Sequence, residues 1–304
     1  MIYTLTLNPA LDYNLTLKEF ISGGMNRASE DSVRCGGKGI NVSAVLTNLG
    51  TPNTALGFIA GFTGTELENS LSAQGIKTDL IRLDKGMTRI CVKIHEENGR
   101  ETEINPTGPD ISAEALDLLM NKLDSLTSED TLVLAGSVPK TVSSDIYVRI
   151  AKMLFNRVRI AVDASGVLLT DILHFHPFLI KPNHKEAEEV CGMRINSHKD
   201  AEECAQKLRA MGALNVVISM AEKGSVLAAE DGEVYRITAP AGKPVNTVGA
   251  GDSLLAGFLA AYDRTGDMRE ALRCGTAAGT ATAFTGRLCT KEDYEHLLSE
   301  VHYG

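Results

Sequence analysis

Long apolar runs, paired cysteines and clustered basic residues are all missing from this sequence of 304 residues. No apolar run reaches the roughly 18 residues that a membrane-spanning helix needs, and Met1–Leu7 has no basic segment of the kind that opens a secretion signal. The six cysteines are widely spaced and form no Cys-x-x-Cys pair, which argues against a disulfide framework or a zinc site. We therefore expect a soluble cytoplasmic protein with reduced thiols.

The charge balance disfavours nucleic acids and membranes as partners. The net charge is −9, the isoelectric point is near 5.3, and the lysines and arginines are scattered along the chain. A nucleic-acid or anionic membrane surface would require clustered positive charge. With 43% hydrophobic residues, the chain is long enough to bury a large core in one or two domains.

From about residue 112 the sequence alternates between strand and helix patterns. Strands are predicted at 131–135, 158–162, 178–180 and 215–219, with helices at 112–125, 143–155, 184–191 and 198–211. This alternation predicts a parallel sheet covered by helices on both faces, in which ligands bind at the carboxyl ends of the strands. Polar residues that follow predicted strands, and should meet at that edge, are Asp12, Ser137, Asp163, Asn183 and Ser219.

The first third of the chain also contains strand patterns that break this alternation. Residues 14–20 and 28–34 flank a Ser-Gly-Gly turn, while 89–95 and 101–105 alternate on either side of Asn98-Gly99. Asn-Gly between two alternating runs is a strong β-hairpin signal. We predict that about 13–35 and 87–106 form a small β-sheet that projects from the main body.

Residues 246–253 read NTVGAGDS and lead into an apolar pattern of helical spacing. The first turn of such a helix offers unpaired backbone N–H groups and the positive end of the helix dipole, so these glycines indicate an anion site. Two roles are then open to Asp252, and the local pattern does not separate them. It is either a helix cap or a general base that takes the proton from an alcohol attacking phosphorus.

Three other segments leave a structural and a ligand-binding interpretation open. Residues 35–42 read CGGKGINV and lead into a predicted helix at 42–49; the segment is not a Walker A loop and suits either a tight turn or a bound phosphate or polyol. Asn183 and Glu186 have the spacing of a helix capping box, which is compatible with a nucleotide site as well. The small residues of 271–284 permit either close helix packing or contact with a flat ring.

Three motifs occur in a fixed order: GGKGIN at 36–41, KPNxxE at 181–186 and TVGAGDS at 247–253. Together they resemble the PfkB (ribokinase-like) carbohydrate kinases, and the similarity covers essentially the whole chain. The resemblance implies one ribokinase-like α/β domain over 1–304, a three-layer sandwich with a mostly parallel central sheet. The small β-sheet would then be a lid that closes over the sugar and forms a homodimer contact.

The segment TLNPALD at 6–12 is similar to the phosphosugar-kinase branch of that family, which includes 1-phosphofructokinase and tagatose-6-phosphate kinase. The first of these is the closer match. The resemblance implies phosphorylation of fructose 1-phosphate to fructose 1,6-bisphosphate with ATP and Mg²⁺. Tagatose 6-phosphate as the substrate, or a catalytically silent sugar-binding protein on the same scaffold, are the alternatives.

The family's functional residues can be carried over by position. Asp252 matches the catalytic base, and Gly249, Ala250 and Gly251 match its anion hole. The sugar and its phosphate would contact Asp12, Gly37, Lys38, Asn41, Arg89 and Ser137, with Arg27 supplied by a neighbouring subunit. The nucleotide side would include Asn183, Ser219, Gly224, Thr247 and Gly279, and Glu186 would hold Mg²⁺ through water.

One position departs from the family pattern, because Ala221 stands where the nucleotide loop usually has its first glycine. If that position requires a positive φ, alanine is mildly strained there.

A nicotinamide dehydrogenase is disfavoured, since Leu254 replaces the third glycine of its fingerprint. A kinase for nucleosides or unphosphorylated sugars is disfavoured by Lys38 and Arg89.

Overall fold

The computed structural model describes residues 1–303, which fold around a nine-stranded and a four-stranded sheet. The strands are β1 (Ile2–Thr6), β2 (Ala10–Leu17), β3 (Glu30–Gly36), β4 (Asn53–Ala60), β5 (Thr78–Leu83), β6 (Arg89–Glu96), β7 (Glu101–Ile104), β8 (Thr131–Ala135), β9 (Arg159–Asp163), β10 (Leu179–Ile180), β11 (Asn215–Ser219), β12 (Ser225–Ala228) and β13 (Val234–Ile237). The helices are α1 (Lys38–Asn48), α2 (Gly61–Ala73), α3 (Ala113–Asp124), α4 (Ile146–Met153), α5 (Val167–Ile172), α6 (His184–Cys191), α7 (His198–Ala210), α8 (Ala250–Thr265), α9 (Met268–Thr285) and α10 (Lys291–Leu298).

The large sheet has the order β13-β12-β11-β10-β9-β8-β1-β4-β5 and is parallel from β5 to β11. All of β8 is buried: Leu132 and Leu134 join the core on one face, and Val133 and Ala135 join the core on the other. Helices α3–α7 cover the first face, and α1, α8, α9 and α10 cover the second. The predicted three-layer α/β sandwich with a mostly parallel sheet is confirmed.

The small sheet has the order β3-β2-β6-β7, in which β2 is parallel to β6 and the other two pairings are antiparallel. The hairpin at Asn98-Gly99 is present as predicted, between β6 and β7. The sheet begins at Ala10, earlier than expected, because β2 follows β1 almost directly. Asp12 therefore belongs to the small sheet, close to the carboxyl end of a central strand of the large one.

Some predicted boundaries and elements differ from the structure. The strands at 131–135 and 215–219 and the helix at 184–191 match to the residue, but α1 begins at Lys38 and not at residue 42. Helices α5 and α10 and strands β12 and β13 were not predicted; the two strands follow β11 without an intervening α-helix and so break the alternation of strands and helices. The early start of α1 places Lys38 and Asn41 together in its first turn.

The small residues of α9 serve close packing against α8. A Cβ at Gly275 would lie 2.7 Å from the Leu254 carbonyl oxygen, and one at Gly257 would lie 2.8 Å from that of Cys274. The packing interpretation of the 271–284 segment is therefore confirmed, while contact with a flat ring stays a prediction. Within residues 1–303, no helix combines the length and the apolar character needed to cross a bilayer.

Candidate active site

A cleft of about 980 Å³ lies between the carboxyl edge of the large sheet and one face of the small sheet. Its lining includes every site residue predicted from the sequence except Arg27: Asp12, Gly37, Lys38, Asn41, Arg89, Ser137, Asn183, Glu186, Ser219, Gly224, Thr247, Gly249, Ala250, Gly251, Asp252 and Gly279. Arg27 is exposed in the connection between β2 and β3, so its predicted role across a subunit boundary stays a prediction.

The glycine-rich turn forms the amino end of α8 on the floor of the cleft. Gly249 adopts a left-handed conformation with φ 79°, which a residue with a side chain enters only with strain. The Ala250 N–H donates to the Thr247 carbonyl at 3.1 Å, while the N–H groups of Gly251 and Asp252 have no acceptor within residues 1–303. The N–H group of Gly249 also has no acceptor within residues 1–303, so Gly249 and Gly251 of the predicted anion hole keep free donors, as does Asp252, and the anion hole itself stays a prediction.

Asp252 does not cap its own helix. No side chain caps α8, and the Asp252 carboxylate, only 6% exposed, accepts a 2.7 Å hydrogen bond from Asn41 Nδ2. Burial raises the pKa of Asp252 to about 6, the nearby charge of Asp163 raises it too, and Asn41, Lys38 and Lys181 act in the opposite direction. A carboxylate with this pKa is a stronger base than an ordinary aspartate and is still ionised at neutral pH.

Beside Asp252 lies a buried cluster of opposite charges. Asp163, 1% exposed at the end of β9, binds Lys38 Nζ at 2.8 Å and Lys181 Nζ at 3.2 Å. Burial favours a raised pKa for Asp163, but Lys181 and Lys38 outweigh burial and hold it below its usual range. Sequence reasoning placed Asp163 at the sheet edge and Lys181 in a motif, yet assigned neither a role, because their pairing is visible only in the fold.

The face of the small sheet that lines the cleft carries polar and charged groups. Asp12 forms an ion pair with Lys93 at 3.1 Å, and Arg89 donates through Nε to the Asn8 carbonyl at 3.1 Å. Glu103 is the cross-strand partner of Lys93 and also lines the cleft. The alternation of 89, 91 and 93 along β6 was the signal that could have added Lys93 to the predicted set.

The other end of the cleft is built from loops that follow β10 and β11. Asn183 and Glu186 do form a capping box: Asn183 Oδ1 accepts from the Glu186 N–H at 3.0 Å, and Glu186 Oε2 accepts from the Asn183 N–H at 2.9 Å. Both also line the cleft, so the structural role does not exclude a ligand role. Ala221 has φ 51°, so the predicted strain is present and costs on the order of 1 kcal/mol.

Comparisons with known proteins agree with this geometry. Residues 7–292 match the model of the pfkB family of carbohydrate kinases. The chain belongs to that family. It is 44% identical to the 1-phosphofructokinase of Borreliella burgdorferi, over 99% of this chain and 97% of that protein, and 35% identical to a D-tagatose-1-phosphate kinase of Bacillus licheniformis, over 99% and 98%. Phosphofructokinase-2 of Escherichia coli, solved in complex with fructose-6-phosphate, superposes with a TM-score of 0.90 at 26% identity, over 98% of each chain.

Kinases of this family imply a divalent cation, and the residues of the cleft fit Mg²⁺. Mg²⁺ keeps several of its waters and is held by one or two carboxylates together with substrate phosphates. Glu186 lines the cleft half-buried and uses only Oε2 in the capping box, which leaves Oε1 without a protein partner among residues 1–303. One carboxylate oxygen facing the nucleotide end is a suitable donor to a hydrated cation.

The raised pKa of Asp252 predicts a gain in stability when the charge is removed. In the folded chain Asp252 takes up its proton near pH 6, whereas an unfolded aspartate does so near pH 4, so above pH 6 its buried charge destabilises the fold. We expect Asp252→Asn to increase the free energy of unfolding by about 1–3 kcal/mol at pH 7.5, and this gain should vanish toward pH 4. Urea denaturation at both pH values measures it.

The exposed Asp263 on the same helix provides the matched control, and Asp263→Asn should change stability little at either pH. A loss of stability in Asp252→Asn at pH 7.5 would contradict the claim that the buried charge of Asp252 destabilises the fold. Asp252 would then be interpreted as a structural residue of α8.

Proposed function

We propose that this protein transfers the terminal phosphoryl group of ATP to a hydroxyl of fructose 1-phosphate, giving fructose 1,6-bisphosphate. The observation that carries the proposal is the placement of Asp252, a buried carboxylate of raised pKa, next to unpaired N–H groups at the start of α8. The small-sheet face lies on one side of it and the loops after β10 and β11 on the other. A sugar phosphate and a nucleotide can therefore meet at Asp252.

In the proposed mechanism Asp252 accepts the proton of the attacking hydroxyl. Asn41 holds the carboxylate by its 2.7 Å hydrogen bond, so that the other oxygen is free to face the alcohol. The N–H groups of Gly249, Gly251 and Asp252, which have no acceptor within residues 1–303, stabilise the charge on the transferred group. Bound Mg²⁺ would neutralise negative charge on the ATP phosphates, and Glu186, with Asn183 positioned beside it, would hold its water shell.

Selectivity for a phosphorylated sugar would come from the cations of the cleft. Arg89 uses only Nε in its bond to Asn8, and its remaining N–H groups have no protein acceptor within residues 1–303. Lys38 lines the same cleft, where Asp163 raises its pKa although burial opposes this, so it stays charged. Asp12, Gly37, Asn41 and Ser137 would bind the hydroxyls. A free sugar would leave Arg89 without an anionic partner and would offer no phosphate to Lys38, whose only anionic partner would then be Asp163, so it should be a poor substrate.

The substrate assignment predicts a ranking that one assay can measure. With Mg²⁺ and ATP, the rate of ADP release should give a kcat/KM for fructose 1-phosphate about 10-fold or more above that for fructose 6-phosphate or tagatose 6-phosphate, and free fructose should be poorest. A preference for tagatose 6-phosphate would support the same phosphoryl transfer but identify a different substrate. If no sugar releases ADP, the silent sugar-binding protein becomes the better interpretation, and the strained Ala221 in the nucleotide loop is the first position to change.

The general-base role predicts a selective loss of turnover. Asp252→Asn keeps the shape of the side chain and the acceptor for Asn41 but removes the base, so kcat should fall by about 10²- to 10⁴-fold while binding of the sugar phosphate, followed by calorimetry, is retained. Asp263→Asn again serves as the control and should keep full activity. Near-normal turnover in Asp252→Asn would exclude the base role.

We further propose that the small sheet acts as a lid and pairs with the lid of a second copy. Its face away from the cleft is open and mainly apolar, with Val33 57% and Ile104 53% exposed. Tyr13 and Leu15 lie on the same face, as does Asp31, which accepts a hydrogen bond from Tyr13. Arg27 lies exposed in the β2–β3 connection of the same sheet, from which it could reach the neighbour's cleft. Exposed apolar surface on a small sheet favours association.

Burying a charge in this contact should abolish the dimer. We expect Ile104→Asp to give a monomer by light scattering and, if Arg27 acts across the contact, to raise the KM for fructose 1-phosphate. Leu118→Asp on α3 is the control, because Leu118 is equally exposed, at 55%, but lies far from the small sheet. A wild-type protein that is monomeric at working concentration would exclude the proposed dimer.

A further inference from the structure

Asp163 is a buried carboxylate on the cleft floor to which the proposed function gives no role. It ends β9, which lies between β8 and β10 in the large sheet, and it forms ion pairs with both Lys38 and Lys181. Lys38 is the first residue of α1, in the same turn as Asn41, and Lys181 follows β10, two residues before Asn183. Asp163 thus joins the sugar-binding segment and the nucleotide-binding segment of the cleft.

Both lysines are also close to the proposed catalytic carboxylate. Lys181 Nζ lies 3.1 Å from the position that a Cβ would take at Gly251, the residue before Asp252. The groups that face Asp252 from the elements around it are Lys38 and Asn41 of α1, Asp163 of β9, and Lys181 after β10, while Glu186 of α6 acts on Lys38. Two buried carboxylates therefore share this region with the buried amine of Lys181 and the half-exposed amine of Lys38.

The pairing within this cluster decides how basic Asp252 is. A carboxylate that gains a lysine partner is stabilised in its ionised form and becomes a weaker base. In the structure both lysines are bound by Asp163, and Asp252 has an amide partner instead. We propose that Asp163 is a positioning residue for phosphoryl transfer, which retains Lys38 and Lys181 so that neither neutralises Asp252. This inference rests on the proposed role of Asp252 as general base.

The ionisation of the two carboxylates is consistent with this role. Although burial favours the opposite, Lys181 and Lys38 hold the pKa of Asp163 below its ordinary value, so Asp163 carries its charge wherever Asp252 titrates. After burial, the charge of Asp163 is the main influence that raises the pKa of Asp252. Replacing Asp163 by a neutral residue would remove this repulsion and release two cations at the same time.

The test is the pH dependence of kcat/KM for fructose 1-phosphate at saturating Mg²⁺ and ATP. For the wild type, activity should fall below about pH 6 as Asp252 becomes protonated. In Asp163→Asn the acid limb of the profile, where kcat/KM falls at low pH, should move down by about one pH unit. The maximal kcat/KM on the plateau should drop about 3- to 10-fold because Asp252 is a weaker base. Asp163→Glu, which restores the charge, should return the limb toward pH 6.

Two further variants make the result decisive. Lys38→Met removes one cation and leaves Asp163 less neutralised, so its limb should move to higher pH, whatever its effect on the maximal rate. This variant carries the test by itself if Asp163→Asn does not fold, as judged by circular dichroism. Asp79→Asn is the control, because Asp79 pairs with Lys122 on the surface far from the cleft, and its profile should match the wild type.

The outcomes separate the inference from the proposed function. A folded Asp163→Asn whose acid limb stays in place, or a Lys38→Met limb that does not rise, overturns the role of Asp163 while leaving Asp252 as the base. A raised Mg²⁺ requirement in Asp163→Asn without movement of the limb would assign Asp163 to the cation and also overturns the inference. A wild-type protein without activity on any sugar phosphate overturns the proposed function itself.

Discussion

The hydrogen bond between Asn41 and Asp252 is the contact on which the site depends. It joins residues 211 positions apart and connects the first turn of α1 to the first turn of α8. Both helices cover the same face of the large sheet, and both begin at its carboxyl edge. The Asn41 amide fixes the direction of the Asp252 carboxylate. The unpaired N–H groups at the start of α8 and the polar residues at the strand ends therefore surround one defined carboxylate.

The site is maintained at a cost in stability that the large core offsets. A buried carboxylate of raised pKa and a left-handed Ala221 are each unfavourable by themselves. Sheet strands that are buried on both faces and close α8–α9 packing supply the compensating stability. Strain and buried charge are concentrated at the cleft, where the proposed function assigns them to binding and proton transfer.

Much of the fold and of the cleft could be predicted from the sequence. Alternating patterns and glycine stops predicted β8, β11 and α6 to the residue, because each element carries its own period and end signals. Strands β12 and β13 were missed because they follow β11 without an intervening α-helix and so break the alternation of strands and helices. The early start of α1 was missed because Gly39 interrupts the apolar pattern, although it helps the helix to approach β1 closely.

The sequence by itself determined which residues of the strand ends and glycine-rich turns reach the cleft. Residues that follow strands of a parallel sheet, and glycines that precede helices, are placed by local rules. Only the tertiary structure decided which of them are partners. The pairing of β2 with β6, the bond from Asn41 to Asp252 and the binding of Lys38 and Lys181 by Asp163 all depend on the order of strands in the sheets. Strand order brings together residues more than 100 positions apart, and no local period of side chains encodes it.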